Sequence, residues 1–107
     1  GPVTCLAFEP GAGMARLGAG DKAGVMSVWD TDRCAEVMRS GEHTGPVWDL
    51  SYCRPEPGLW ATASDDTTAR LWHITQPRST AAIPAGCPVL CVAWNTVLES
   101  LLAFGCG

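Results

Sequence analysis

Residues 61–73 read ATASDDTTARLWH, and residues 18–30 read GAGDKAGVMSVWD. Each stretch passes from small residues through an acidic turn into a short alternating run with a tryptophan. Those tryptophans, Trp29 and Trp72, are 43 positions apart. Self-similarity at a fixed period of about 40–45 residues is typical of architectures in which each repeat is one supersecondary unit. The fold is therefore decided by what one unit forms.

A second set of similar runs recurs at nearly the same spacing. VTCLAF begins at Val3, VWDLSY at Val47 and VLCVAW at Val89, which lie 44 and 42 residues apart. The closing segment SLLAFGCG, residues 100–107, corresponds in the same way to LWATASDD, residues 59–66. The chain therefore contains two units and the beginning of a third.

The runs that begin each unit alternate like strands. Successive side chains of a strand point to opposite faces, which puts Leu6 with Phe8 on one face and Cys5 with Ala7 on the other. Both faces are apolar, and this favours a strand covered on both sides, as when one sheet stacks against the next.

Each unit divides into four such pieces. The first run is followed by a piece rich in small residues, a turn, the run MSVW or ARLW, and a more polar run at residues 34–40 or 78–84. Four short strands in about 40–45 residues are typical of one β-propeller blade. We therefore predict an all-β fold, a propeller fragment of about two and a half four-stranded blades. The predicted blades are residues 2–41, residues 46–86 and, for the first strands of the third, residues 88–107.

Two and a half blades cannot close a ring, because known propellers have about four to eight blades. We therefore expect the 107 residues to belong to one longer propeller, whose remaining blades pack against them. An isolated piece would expose an apolar blade face and open strand edges.

Composition excludes several classes of function. The chain is 47% hydrophobic and 17% charged with a net charge of −4, and its basic residues are scattered singly, so we expect no nucleic-acid binding. The uncharged stretch 79–98 is interrupted by Pro84, Gly86 and Pro88, which argues against a membrane segment. GPVTCLAF at the start lacks the basic and apolar regions of a signal peptide. These features predict a nuclear or cytoplasmic location.

The cysteines suggest no chemistry. The six cysteines contain no Cys-x-x-Cys pair and several lie in apolar runs, which favours buried free thiols over disulfides or a metal site. A cysteine hydrolase would need a thiolate, a histidine base and an orienting group in one cleft, but His73 lies at a strand end. We predict no catalytic residue, no metal and no cofactor.

The chain resembles the WD-repeat propellers in its Trp29-Asp30 pair, in Trp72 at the equivalent position, and in Glu42-His43 ahead of the next strand. The resemblance implies the family's hydrogen-bonded tetrad in the second blade. Its members would be His43, Thr62, Asp66 and Trp72. Such a tetrad is structural, because it satisfies buried polar groups that would otherwise each cost about 1–3 kcal/mol.

The other two units depart from the tetrad pattern. Ala23 stands where the turn aspartate of the first unit is expected, with Asp21 two positions earlier. Ala85 occupies the position in the third unit that matches His43.

Longer strings resemble the C-terminal propeller of the constitutively photomorphogenic (COP/SPA) ubiquitin ligase proteins. These strings are DKAGVMSVWD, EHTGPVWDLSY, ATASDDTTARLW and VLCVAWN. The resemblance implies a non-enzymatic protein-interaction platform, the substrate receptor of a ubiquitin ligase complex in light signalling, which captures partners through Val-Pro-containing peptides. The RING and coiled-coil parts that precede this propeller in the family are absent from the sequence.

The same resemblance suggests peptide-contact residues. Trp48 matches a tryptophan at the mouth of the family's central channel, whereas the family's arginine two residues earlier is Pro46 and the family's turn tyrosine is Lys22. Both replacements weaken Val-Pro recognition, since one removes a guanidinium and the other an aromatic surface. Asp49 and Asp65 belong to the same rim, and we count both with Trp48 and Lys22 as candidates.

Alternatives remain for these residues and for the function. Trp48 could be a packed core indole, and the rim carboxylates of Asp49 and Asp65 could simply be solvated. The chain could also be a structural WD-repeat scaffold in a large ciliary or chromatin-associated assembly, one that has kept the blades and lost the peptide pocket.

Overall fold

A computed structural model describes residues 2–9, 15–53, 58–76, 78–95 and 100–102 of the chain. Within these ranges the chain forms ten β-strands and no helix. Accordingly, none of the described ranges contains a helix with the length and apolar character needed to cross a membrane.

The first four strands form one antiparallel sheet. They are β1 (Val3–Glu9), β2 (Arg16–Asp21), β3 (Met26–Asp30) and β4 (Ala35–Ser40), paired in chain order. This order places β1 at one edge of the sheet and β4 at the other.

The next four strands repeat this arrangement. They are β5 (Val47–Tyr52), β6 (Leu59–Ser64), β7 (Thr68–His73) and β8 (Ala81–Pro84), again antiparallel and in chain order. The sequence prediction of an all-β chain built from four-stranded units is confirmed.

The third unit contributes a two-stranded sheet of β9 (Ala93–Asn95) and β10 (Ser100–Leu102). The sequence predicted a strand at residues 89–94, but regular strand pairing begins only at Ala93. Before it, Val89 donates its backbone N–H to the Ser64 carbonyl at 2.9 Å, and Val89 and Val92 pack in a second buried cluster with alanines of β6 and β7.

The main core lies between the two four-stranded sheets. Six buried side chains form it, three from each sheet: Met26, Val28, Met38, Leu50, Trp60 and Trp72. Removing an apolar side chain of this size from water contributes about 1.5–3 kcal/mol, so this contact is a major source of stability. It holds the two units together face to face.

Small residues of β2 let the sheets approach closely. A Cβ placed on Gly18 would lie 2.5 Å from a ring carbon of Trp60, and one on Gly20 would lie 2.6 Å from Cγ1 of Val47. The small-residue piece of the first unit is therefore the surface that receives the large side chains of the second.

The prediction that both faces of the first strand are covered holds for one face in the described residues. Cys5 and Ala7 are partly buried against the core, whereas Leu6 and Phe8 are 62% and 52% exposed. The two faces differ because side chains alternate along the strand and the second sheet packs on the Cys5 side.

Trp29 and Trp72 occupy equivalent positions in the two sheets but differ in burial. They pair in register with Leu17 and Trp60, but Trp29 is 36% exposed and Trp72 is fully buried.

A buried ion pair lies within the first sheet, and its carboxylate also contacts the second unit. Arg16 Nη1 lies 3.0 Å from Glu9 Oε1, and both side chains are less than a tenth exposed. The second carboxylate oxygen of Glu9 accepts the backbone N–H of Gly58 at 3.3 Å. This extra hydrogen bond supplies part of the compensation that a buried carboxylate requires.

The expectation of free thiols is wrong for Cys87, which is disulfide-bonded, whereas Cys5, Cys34 and Cys53 are free. The sequence did not reveal this bond, because the spacing of cysteines does not determine which pairs meet in the fold.

We predict that Gly18→Ala lowers the free energy of unfolding by about 1–3 kcal/mol. The new methyl group would overlap the Trp60 ring, which is fully buried and has little room to move. Urea denaturation of the complete protein measures the effect. Gly41→Ala is the matched control, since the nearest atom to its Cβ lies 3.8 Å away on Val25. Equal stability of the two variants would contradict the proposed close packing.

Candidate functional site

The four predicted tetrad residues lie in one chain of hydrogen bonds. His43, in the loop that leads into β5, places Nδ1 2.8 Å from Asp66 Oδ2 and Nε2 2.6 Å from Thr62 Oγ1. Trp72 Nε1 donates to the same Thr62 oxygen at 2.8 Å. The chain links the loop, two strands and the β6–β7 turn within the buried region.

The hydrogen bonds fit a neutral imidazole. The Trp72 N–H donates to Thr62, and a neutral His43 protonated at Nδ1 would donate to Asp66 and accept the Thr62 hydroxyl at Nε2. Burial lowers the pKa of His43, and the opposing attraction of Asp66 does not restore it.

Asp66 stays ionised because donors surround it. Burial by itself would raise its pKa, but hydrogen bonds from Thr68 and His43 outweigh that effect and hold the pKa at about 2. The Thr44 backbone N–H and the Thr68 backbone N–H also donate to its two oxygens, at 3.1 and 3.0 Å. The carboxylate thereby fixes the turn between β6 and β7.

The β6–β7 turn and the equivalent β2–β3 turn of the first sheet each contain a residue in the left-handed conformation. Thr67 has φ of 71°, and the corresponding residue of the first sheet, Gly24, has φ of 90°. Gly24 also passes so close to the His43 carbonyl that a Cβ there would lie 2.2 Å from the oxygen. A β-branched residue in this conformation is strained, and the Asp66 hydrogen bonds on either side of Thr67 hold it in place.

The first sheet satisfies its equivalent groups differently. Ala19 stands in the register position of Thr62, so the Trp29 indole N–H donates instead to Ser27 Oγ at 3.3 Å. Asp21 takes over the turn, since its Oδ1 accepts the N–H groups of Ala23 and Val25, both at 2.9 Å.

Trp48 is exposed because the ladder is irregular at its position. Val47 pairs with Ser64 and Asp49 pairs with Ala63, so Trp48 is an extra residue opposite β6. Such bulges redirect a side chain away from the regular alternation. Trp48 is 36% exposed, and its indole N–H donates to Asp65 Oδ1 at 3.2 Å. Trp48 is thus partly exposed, and the hydrogen bond to Asp65 restrains its side chain.

The other candidate contact residues have different surroundings. Asp65 is exposed in the β6–β7 turn beside Trp48, and Lys22 is exposed in the β2–β3 turn, where its backbone N–H donates to Pro2. Asp49 instead faces the third unit, because its carboxylate accepts the N–H groups of Leu50 at 2.9 Å and Val92 at 3.2 Å. The structure therefore brings Trp48 and Asp65 together and uses Asp49 to hold the next unit.

Sequence reasoning missed a second polar network, centred on Glu42. The Glu42 carboxylate accepts Arg70 Nη1 at 2.9 Å and the Ser79 backbone N–H and hydroxyl, both at 2.7 Å. Burial would raise the pKa of Glu42, but the bonds from Ser79 and the charge of Arg70 lower it. The Glu42-His43 dipeptide was the available signal, since its two side chains support both networks.

These networks position groups and hold them in fixed protonation states. Among the described residues, no group of three or more His, Cys, Asp or Glu side chains is arranged to hold a metal ion. What the molecule presents to solvent is a set of loop and strand-edge side chains on two stacked sheets.

Comparison with known proteins defines the class. Residues 35–73 match the family described as WD domain, G-beta repeat. The chain also superposes on the β-propeller domain of Cps50 (Swd1) from Myceliophteria thermophila with a TM-score of 0.77 and 20% identity, covering 90% of this chain and 31% of that one. The chain belongs to the WD-repeat β-propeller proteins.

Within that class the chain is similar to the SPA and COP1 proteins. It is 37% identical over 82 residues to Protein SPA1-RELATED 4 of Arabidopsis thaliana, a match that covers 77% of this chain and 10% of that protein. It is 27% identical over 89 residues to the E3 ubiquitin-protein ligase COP1 of the same species, covering 83% and 13%. WD repeat-containing protein RUP2 is 31% identical over 113 residues, covering 97% and 31%. The chain thus spans about a tenth of the length of the SPA relative.

We predict that acid weakens the fold through the tetrad. The folded state lowers the pKa of both His43 and Asp66, so it binds fewer protons than the unfolded state and stability falls as pH falls. The His43 contribution is lost as pH drops below about 6.5, and the Asp66 contribution between about pH 4 and pH 2. Denaturation of the complete protein at a series of pH values measures both.

Asp66→Asn should lower the free energy of unfolding by about 2 kcal/mol at pH 7, because a charge-assisted hydrogen bond to His43 is lost. It should also flatten the pH dependence below pH 4. Asp65→Asn, one residue earlier and exposed, is the control and should change stability by under about 0.5 kcal/mol. A similar loss in both variants would contradict the structural role of the tetrad.

Proposed function

We propose that this chain is part of a non-enzymatic protein-interaction platform, similar to the substrate-receptor propeller of a COP/SPA-type ubiquitin ligase complex in light signalling. The observation that carries the proposal is the exposed indole of Trp48, held at a bulge beside a turn that the tetrad fixes. Rigid, partly exposed aromatic side chains are favoured as interface hot spots. A nuclear or cytoplasmic location accords with this function.

The proposed contact surface consists of Trp48, Asp65 and Lys22. The indole offers an apolar face to the side chains of a Val-Pro peptide, and the proximity of its N–H to Asp65 fixes the ring orientation. We leave Asp49 out of this surface, because its carboxylate is engaged by Leu50 and Val92.

A second function is favoured by a specific observation. Pro46 and Lys22 stand where the COP/SPA family has an arginine and a tyrosine, so two groups of the peptide pocket are missing. A WD-repeat scaffold in a large assembly, without a ligase role, would keep the stacked sheets and have no need of that pocket.

Titration of a labelled Val-Pro peptide into the complete protein, followed by fluorescence polarisation, separates the two functions. For a receptor, Trp48→Ala should weaken binding about tenfold or more. Val37→Ala, which removes an apolar side chain of similar exposure from the opposite strand edge, should leave binding unchanged. A peptide with Val-Pro replaced by Ala-Ala should not bind.

The double variant Pro46→Arg with Lys22→Tyr provides the reverse test. The Pro46 carbonyl that accepts the Asp65 N–H is retained in any residue, so the substitution leaves that backbone bond possible. Restoring the two family side chains should raise the affinity for the Val-Pro peptide. Absence of binding by both the native protein and this variant would reject the receptor function in favour of the scaffold.

A further inference from the structure

An open polar depression lies at the opposite strand edge from Trp48. It has a volume of about 560 Å³ and is lined by residues of β4, of the loop that follows it and of the segment ahead of β8: Arg39, Ser40, Gly41, Glu42 and Arg78. Since β4 and β8 are the last strands of their sheets, this site is structurally separate from the surface at the start of β5.

The depression has two exposed arginines, neither of which is held in a buried ion pair. Arg78 forms no ion pair with any described residue and is exposed. Arg39 is 58% exposed at its side chain and pairs with Glu36 at 3.4 Å. Exposed pairs of this kind contribute about 0–1 kcal/mol, so a better acceptor can displace Glu36.

The one carboxylate in the lining is already compensated. Glu42 accepts Arg70 and two donors of Ser79, and the Ser40 hydroxyl lies 3.4 Å from its other oxygen. Its negative charge is therefore directed toward the protein and opposed by Arg70. An incoming anion would meet the guanidinium groups of Arg39 and Arg78 with little repulsion from Glu42.

We propose that Arg39 and Arg78 form a binding site for a phosphate monoester carried by a phosphorylated peptide segment of a partner. Guanidinium groups suit this ligand, because their planar N–H donors bind phosphate oxygens in pairs and a dianion competes well with a single surface carboxylate. The volume of about 560 Å³ leaves room for residues on either side of the phosphorylated one.

The charge distribution argues against a polyanion at this site. Nucleic acid or an anionic membrane would need many cations along one face, but the chain has seven Lys and Arg in total and a net charge of −4. Of these, Arg16 is buried against Glu9, Arg70 is used by Glu42, and Arg33 lies beside Asp30. The site matches one isolated anionic group.

The test uses the complete protein and a fluorescent degenerate peptide library with a central phosphoserine, compared with the same library bearing serine. We expect binding that depends on the phosphate. The double variant Arg39→Gln with Arg78→Gln should weaken it about tenfold or more, and each single variant should weaken it less. Arg33→Gln removes the same charge from an exposed arginine outside the depression and should stay within about twofold of the native protein.

Several results would overturn the proposal. They are equal binding of the two libraries, equal losses in Arg33→Gln and the double variant, or unchanged binding in the double variant. Inorganic phosphate that competes at the same concentration as the phosphopeptides would assign the site to free phosphate instead. Binding of single-stranded RNA or phosphatidylserine vesicles that the double variant abolishes would assign it to a polyanion. Thermal melting of each variant checks that the fold is intact.

Discussion

Face-to-face packing of the two four-stranded sheets is the constraint on which the remaining structure depends. Trp60 lies against Gly18, and any side chain at position 18 would occupy the space of the indole ring. The same contact buries Trp72 and Thr62 completely, which removes their polar groups from water. Because an unsatisfied buried donor costs about 1–3 kcal/mol, close packing in turn requires the hydrogen-bonded chain through His43. Apolar packing and the polar tetrad are thus two parts of one solution.

One broad face of each sheet is used for stacking on the other, and the candidate recognition surfaces lie at the strand edges and the turns. At one edge, the bulge at Trp48 turns an aromatic side chain outward. At the other edge, Glu42 joins the two sheets through Arg70 and Ser79, and its neutralised charge leaves Arg39 and Arg78 facing solvent. Each candidate surface therefore depends on a buried or half-buried network behind it.

The repeat spacing was sufficient to predict the strands, because they recur at nearly constant intervals, whereas the tetrad residues were selected by the resemblance to the WD-repeat family. What it could not predict depends on contacts between residues far apart in the chain or on local irregularity. The Asp49 contact with Val92 spans 43 residues, and the Ser79 contact with Glu42 spans 37. The bulge at Trp48 is one extra residue in a ladder, which an alternating pattern does not reveal. The exposure of Leu6 was missed for a different reason, since an apolar strand face does not indicate where its covering sheet comes from.

The tetrad also connects the core to the rim. Asp66 accepts hydrogen bonds from His43, Thr44 and Thr68, which hold the β6–β7 turn despite the left-handed Thr67. Asp65 is the preceding residue of that turn, and its position beside the Trp48 indole follows from the same restraint. Loss of the buried His43–Asp66 bond would free the turn and, with it, the hydrogen bond that orients Trp48. A rigid aromatic contact loses less conformational entropy on binding than a mobile one. A residue with no exposure of its own, such as His43, can therefore influence recognition by determining how firmly the exposed tryptophan is held.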